Sequence, residues 1–263
     1  PQSFLLHAMD RPQTAPVGRT RGGYVMGRGG LTRLGTIKNF GKQPNAVGKL
    51  FVVAVDKSKL SQRSVRLAAF LMNERDRDKV KMVTVMKNVS ELPDCEAYLR
   101  DCADMLKQLG VRPHNILPGQ VLKVEEGDTL AATLTKAASG GHLVIGAAGQ
   151  RMEGEAQKKG KKVAEALGGT AYEALGRSKA PVILVKRNAT PNLESKDMLA
   201  ERREGKMGMM IVVCVDGSFL SQKSFDMAMR FVKPGDTVRV VHVHNSDAGM
   251  TNARTESMAL VGN

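Results

Sequence analysis

The stretch Leu50–Ser64, LFVVAVDKSKLSQRS, returns 160 residues later as Met210–Ser224, MIVVCVDGSFLSQKS. Across Val52–Ser64 and Val212–Ser224, nine of thirteen positions are identical. Each copy is a short Val-rich run that ends in Asp, one variable residue and Ser, followed by helical spacing of apolar groups. This pattern predicts a buried strand, a tight turn and a helix. In an open α/β sheet ligands sit outside the carboxyl ends of the strands, where Asp56 and Asp216 both fall. The repeat therefore predicts two related α/β units, each with a polar site at its first turn.

Working outward from the first copy, strand and helix signals alternate as far as residue 187. Strands are expected at Leu50–Val55, Lys81–Met86, Gln120–Val124, His142–Ile145 and Pro181–Val185. Helices are expected at Leu60–Asn73, Ser90–Gly110, Asp128–Ala138 and Val163–Leu175, with Ser90 as N-cap and Gly110 as stop signal. Five short apolar strands separated by helices imply a parallel sheet covered on both faces. Residues 188–208 read as a charged linker with a short helix at Glu194–Arg203. The second unit follows as Met209–Val215, Gln222–Val232 and Thr237–Val243. After Asn245 the chain reads as a polar tail, with no equivalent of strands three to five. Either the sequence ends early or this half-unit is completed by packing on the first domain or on another chain.

Residues 1–49 differ in kind. They carry eight Lys or Arg against one acid, Asp10, which is +7 of the chain's +14, and nine glycines in runs such as RTRGGYVMGRGGLTRLG. Such composition cannot offset the ordering entropy of a domain. Three readings stand: an unordered tail, an organellar targeting segment, or an arm lying extended along a partner. The charge points to an acidic partner. With 4% aromatics and no Trp, there is little sign of a base-stacking surface, so RNA ranks below an acidic protein.

Cys95, Cys102 and Cys214 form no CxxC and no paired framework, fitting a reducing, cytoplasmic compartment with buried thiols. No 18-residue apolar run is present, so no membrane span is expected. His142 opens an apolar strand, and His242 and His244 alternate on another. Without acid or Cys at suitable spacing, no metal site is expected. Ser58, Ser61 and Ser64 read as turn and cap residues, since no base partner is evident. No acid/base pair for an enzyme can be located.

The segments VVAVDKS, VIGAAG and GGTAYEALGRSKAPVILVK together resemble the universal stress protein domain, once in full over about 138 residues and once as a front half. The resemblance implies a five-stranded parallel sheet in the order 3-2-1-4-5 and a dimer through the sheet edge. Members that bind ATP place an Asp near the adenosine and a Gly-x2-Gly-x9-Gly-Ser/Thr stretch around the phosphates. Asp56, Gly146 and Gly149 match that pattern. The closing element is displaced: nine residues beyond Gly149 lies Lys159, and Gly168, Gly169 and Thr170 come nine or ten residues later. The intervening Lys158, Lys159, Lys161 and Lys162 fit a phosphate lid, an insertion facing an acidic partner, or a solvated loop.

Two functions follow. The first is a binding and scaffold module anchored by Arg11, Arg19, Arg21, Arg28 and Arg33 to a large acidic assembly. RPQTAP at Arg11–Pro16 resembles short motifs of axonemal proteins, which ranks a microtubule or axonemal surface, with a cytoskeletal or ciliary location, ahead of a ribonucleoprotein. The alternative is a stress-response regulator holding ATP or AMP at Asp56, Gly146, Gly149, Gly169 and Thr170, with at most slow hydrolysis.

Overall fold

The computed structural model describes residues 3–4, 48–73, 77–149, 167–186, 197–216 and 218–242. The Arg-rich part of the N-terminal arm, the lysine loop and the last 21 residues lie outside these. The strands are β1 (Ser3–Phe4), β2 (Leu50–Ala54), β3 (Lys79–Met86), β4 (Gln120–Lys123), β5 (His142–Gly146), β6 (Val182–Val185), β7 (Met210–Val215) and β8 (Thr237–His242). The helices begin with α1 (Lys59–Leu71), α2 (Leu92–Gln108), α3 (Leu130–Ala137) and α4 (Gly169–Arg177). They are followed by the short α5 (Met198–Arg203) and by α6 (Phe219–Met229).

Five strands form the expected parallel sheet, ordered β4-β3-β2-β5-β6. Alternating side chains of the strands enter two cores. Phe51, Val53, Met82 and Val144 pack with α1 and α2 on one face; Val52, Val83, Leu143 and Leu184 pack with α3 and α4 on the other. A sheet buried on both faces needs apolar residues at successive positions, which is why VVAV and LVIG read as runs rather than alternations.

The arm contributes one thing the sequence reading did not expect. Ser3 and Phe4 pair in parallel with Val182 and Ile183, so β1 lies outside β6 as a sixth strand. At those two residues β6 is an interior strand, and all four of its residues are buried. The sheet edge expected to serve a dimer is therefore occupied there by the chain's own N-terminal residues.

Some boundaries moved for local reasons. Ser90 does not cap α2; a single 3-10 turn, Val89–Glu91, runs directly into Leu92, with Pro93 in the first turn where a missing N–H costs nothing. Gly110 stops the helix as expected, at φ +89°. The helix expected from Val163 is described only from Gly169, after Gly168 as N-cap; residues 163–166 lie outside the described residues. The helix of the second copy begins at Phe219 rather than Gln222, because Ser218 caps it.

The second copy forms β7-α6-β8, a two-stranded parallel sheet with one helix. It packs on the amino-terminal end of the first sheet, where α1 and α2 finish. Phe231 joins a cluster with Phe51 and His142, centroids 6.0 and 5.5 Å away. Met198, Leu199, Ile211, Val213 and Val238 extend the core of the α1/α2 face. Cations cover the exposed carbonyls of the helix ends: Lys233 Nζ donates to the carbonyls of Phe70, at 2.7 Å, and Met72, and Arg203 donates to Gly110 O at 2.8 Å. Arg202 is buried, its guanidinium 4.5 Å above the Phe70 ring and both its terminal nitrogens on the Asp236 carboxylate.

Candidate functional site

The order β4-β3-β2-β5-β6 reverses direction between β2 and β5, since β2 leads to β3 on one side and β5 lies on the other. Outside the carboxyl ends of two such strands the crossing helices diverge and leave a crevice. The sequence places Asp56 two residues beyond β2, Gly146 at the end of β5, and Gly149 three residues on. The fold brings them together.

Asp56 and Gly149 are in direct contact. A Cβ built on Gly149 would lie 2.7 Å from Asp56 Oδ2, so a larger residue there would have to displace the carboxylate. Asp56 Oδ1 accepts from the Ser58 amide at 3.2 Å, turning the chain from β2 into α1. The turn places Lys57 at φ +62°, a left-handed conformation that costs a non-glycine residue energy. Ser58 then caps α1, its Oγ accepting from the Ser61 amide at 3.1 Å. Gly146 packs on that helix: a Cβ there would come within 3.0 Å of Leu60 Cβ.

Gly169 and Thr170 open α4 on the opposite side of the crevice. The amide of Gly168 donates to Ala147 O at 2.7 Å, so the chain that leaves at Gly149 returns to the end of β5 before α4 begins. This contact brings the glycine pair back to the strand end despite the long spacing in sequence. Gly168 offers no side-chain cap. Gly169 is exposed, and a Cβ on it would meet nothing within 4 Å, whereas Ala171, two residues on, is buried. Uncapped amides at a helix amino terminus favour an anion. The lysines at 158, 159, 161 and 162 lie outside the described residues.

Tyr98 was not legible as a neighbour of this site. It projects from α2 to within 3.0 Å of Ser61 Oγ, and burial, with a smaller contribution from the Asp56 charge, pushes its phenol up to about 12. Cys102, one turn on, is buried and its thiol is raised to about 11, chiefly by desolvation. Both belong to the core of the α1/α2 face and stay neutral at ordinary pH.

The second copy reproduces the first turn but not the crevice. Asp216 Oδ1 accepts from the Ser218 amide at 2.9 Å, and Ser218 Oγ from the Ser221 amide at 3.1 Å. Hydrogen bonds from the Ser218 side chain and amide hold the Asp216 carboxyl at about 2. β7 pairs only with β8 among the described residues, and no strand on its other edge supplies the glycines that β5 supplies to β2.

The remaining candidates fall elsewhere. His142 lies at the start of β5, a central strand, half-buried between Phe51 and Phe231; its Nδ1 has no hydrogen-bond partner. Burial holds its pKa below the usual range, which keeps it neutral. Cys102 is buried as expected, but Cys95 is half-buried and Cys214 exposed. Cys214 is exposed because it points from the face of β7 opposite the core, where no helix equivalent to α3 or α4 packs among the described residues. Among the described residues no group of three or more His, Cys, Asp or Glu is arranged to hold a metal ion, and no helix is long and apolar enough to cross a membrane.

No family model and no curated protein matches the chain. Solved structures do. A universal stress protein in complex with cAMP is similar at 21% identity and a TM-score of 0.36, over 52% of this chain and 95% of its own. The universal stress protein from Archaeoglobus fulgidus is similar at 20% identity and a TM-score of 0.37, over 53% and 95%. In complex with dAMP, the Archaeoglobus fulgidus protein is similar at 18% identity and a TM-score of 0.34, over 54% and 99%. The likeness is thus to universal stress proteins, at low identity and over about half of this chain.

Proposed function

We propose that the chain binds an adenine nucleotide, AMP or ATP, in the crevice between β2 and β5, as a regulatory binding module with at most slow hydrolysis. The observation that carries this reading is the contact of Asp56 Oδ2 with Gly149 at the point where strand order reverses. A carboxylate there is placed to accept from the ribose or base of a nucleoside. The glycine backbone leaves room for phosphate, and the uncapped turn at Gly169–Thr170 offers amides to its charge. Calorimetric titration of the full chain with ATP and with AMP tests it. Saturable binding is expected, reduced at least about tenfold in Gly149→Val, whose side chain would displace Asp56, and unchanged in Asp216→Ala. Absence of heat at millimolar nucleotide would sink the reading.

Anchoring through the arm is a separate proposal, supported by the +7 balance of residues 1–49. Its arginines, Arg11 to Arg33, lie outside the described residues. On this reading the chain cosediments with microtubules in low salt, and replacing Arg11, Arg19, Arg21, Arg28 and Arg33 by Gln abolishes it. Cosedimentation that persists in that variant would remove the arm from consideration.

A further inference from the structure

The turn that carries Asp56 is held from a second helix. Lys57 Nζ lies 3.7 Å from Asp94 Oδ2, and Ser61 Oγ lies 3.0 Å from the Tyr98 hydroxyl. Asp94 and Tyr98 are four residues apart on α2, so the two contacts leave the same face of that helix, one turn apart. They are unequal. Lys57 and Asp94 are exposed, and a solvated pair of this kind holds little. Ser61 is 2% exposed and Tyr98 is half-buried, so the hydroxyl contact is shielded from water.

The direction of that contact follows from counting protons. Ser61 has one hydroxyl proton and donates it to Ser58 O at 2.9 Å. Its oxygen is left to accept, so Tyr98 donates. Burial, which raises the phenol to about 12, keeps the donor proton in place at ordinary pH. From Ser61 the bonds run on through the turn: its amide donates to Ser58 Oγ at 3.1 Å, and the Ser58 amide donates to Asp56 Oδ1 at 3.2 Å.

The second repeat shows what the phenol adds. Ser221 makes the same bonds to Ser218, and Ser218 the same bond to Asp216, yet among the described residues no group from a second helix bonds to Ser221. The turn therefore forms without a phenol. Its seat is what differs: Ser58 and Ser61 are buried, whereas Ser218 is exposed and Ser221 half-buried. We infer that Tyr98 is a positioning residue for the nucleotide site, acting through Ser61 to tie the Asp56 turn to α2 and hold the carboxylate in one place beside Gly149. This rests on the nucleotide reading above.

Calorimetric titration with AMP of the full chain, Tyr98→Phe, Ser61→Ala and the double variant tests it. Tyr98→Phe keeps the ring in the core and removes only the hydroxyl. It should weaken AMP binding about fivefold, the effect of one hydrogen bond. In the Ser61→Ala background the same change should cost less than about twofold, because the link is already cut. Unchanged affinity in Tyr98→Phe, or losses that multiply in the double variant, would overturn the inference. Hydrogen exchange without nucleotide separates this inference from the reading it rests on. The amides of Ser58 and Ser61 should exchange at least about threefold faster in Tyr98→Phe, while those of Ser218 and Ser221 are unaltered. Equal exchange of Ser58 and Ser61 in the two proteins overturns the role of Tyr98 whether or not AMP binds. Faster exchange with no AMP binding by the unaltered chain removes the nucleotide reading and leaves Tyr98 as the group that holds the turn.

Discussion

The first repeat, β2-α1-β3, and the second, β7-α6-β8, are built from nearly the same thirteen residues and have the same turn, yet they bury them differently. Val52, Ser58, Leu60 and Ser64 are buried; Val212 and Ser224 are half-buried, and Ser218 and Leu220 are exposed. The local hydrogen bonds are copied and the burial is not. Capping is a property of a few consecutive residues, whereas burial depends on β5, α3 and α4, whose equivalents the second repeat lacks among the described residues.

A second likeness extends beyond the identical stretch. In the first repeat the buried Asp78 accepts from the amides of Lys49, at 2.7 Å, and Asn73, at 2.8 Å, tying the start of β2 to the end of α1. In the second, Asp236 accepts from the amides of Met209, at 2.7 Å, and Lys233, at 2.8 Å, in the same way. The partners differ: Asp78 pairs with Lys49 at 3.1 Å, Asp236 with the buried Arg202.

Removing the buried acids should have the largest effect. Asp236→Ala strands Arg202 as an uncompensated buried cation, and is expected to cost roughly 3–5 kcal/mol by denaturant unfolding. Asp78→Ala, whose Lys49 can turn toward water, should cost less. If the two losses are equal, the contrast between their partners has no energetic meaning.

Next come the leucines. Leu60→Ala should lose about 2–3 kcal/mol through lost burial and a cavity under Gly146. Leu220→Ala should lose less than about 0.5 kcal/mol, as exposed substitutions do. A similar loss at both sites would show that the second repeat is as well covered as the first.

The interface between the repeats should respond to pH through two groups. Desolvation, followed by the Arg202 charge, lowers Lys233 to about 7, so between pH 7 and its unfolded value the unfolded chain holds more protons. Stability therefore rises with pH across that range. His142, also lowered by burial, adds stability that is lost as pH falls below about 6.5. Comparing melting from pH 7 to 8.5, before Cys102 and Tyr98 oppose the trend, Lys233→Met should flatten the rise; His142→Phe should flatten the acid limb below it. Unaltered slopes in both variants would mean that these groups are solvated.

The smallest effect concerns the turn. Lys57 holds a left-handed conformation where the second repeat has Gly217 in the sequence. Lys57→Gly should relieve strain and stabilise by up to about 1 kcal/mol, less whatever glycine adds to the entropy of the unfolded chain. A destabilised variant would show that the Lys57–Asp94 pair, 3.7 Å apart and exposed, outweighs the strain.

How much was legible divides along the same line. The five strands and the Asp-x-Ser turns could be read ahead, because hydrophobic runs and turn chemistry are encoded by adjacent residues; the strand order and the meeting of Asp56 with Gly146 and Gly149 were implied only by the resemblance to universal stress proteins. Asp78 and Asp236 could also have been found, since each precedes its strand as Asp-x-Val. Tyr98 could not: nothing in residues 92–108 announces that a phenol will reach Ser61 across the gap between two helices. Nor could the use of Ser3–Phe4 as a sixth strand, which two residues of sequence cannot distinguish from tail.

By itself the amino-acid sequence determined the elements, the caps and the duplication, because each depends on the periodicity and hydrogen-bonding reach of neighbouring residues. Only the tertiary structure decided that Gly168 returns to Ala147 despite the long insertion, that the second repeat covers the ends of α1 and α2, and that Leu60 is buried while Leu220 is not. Those outcomes depend on contacts between residues up to about 160 positions apart, such as Lys233 with Phe70 and Met72. Their energies come from burial and charge compensation that no local pattern records.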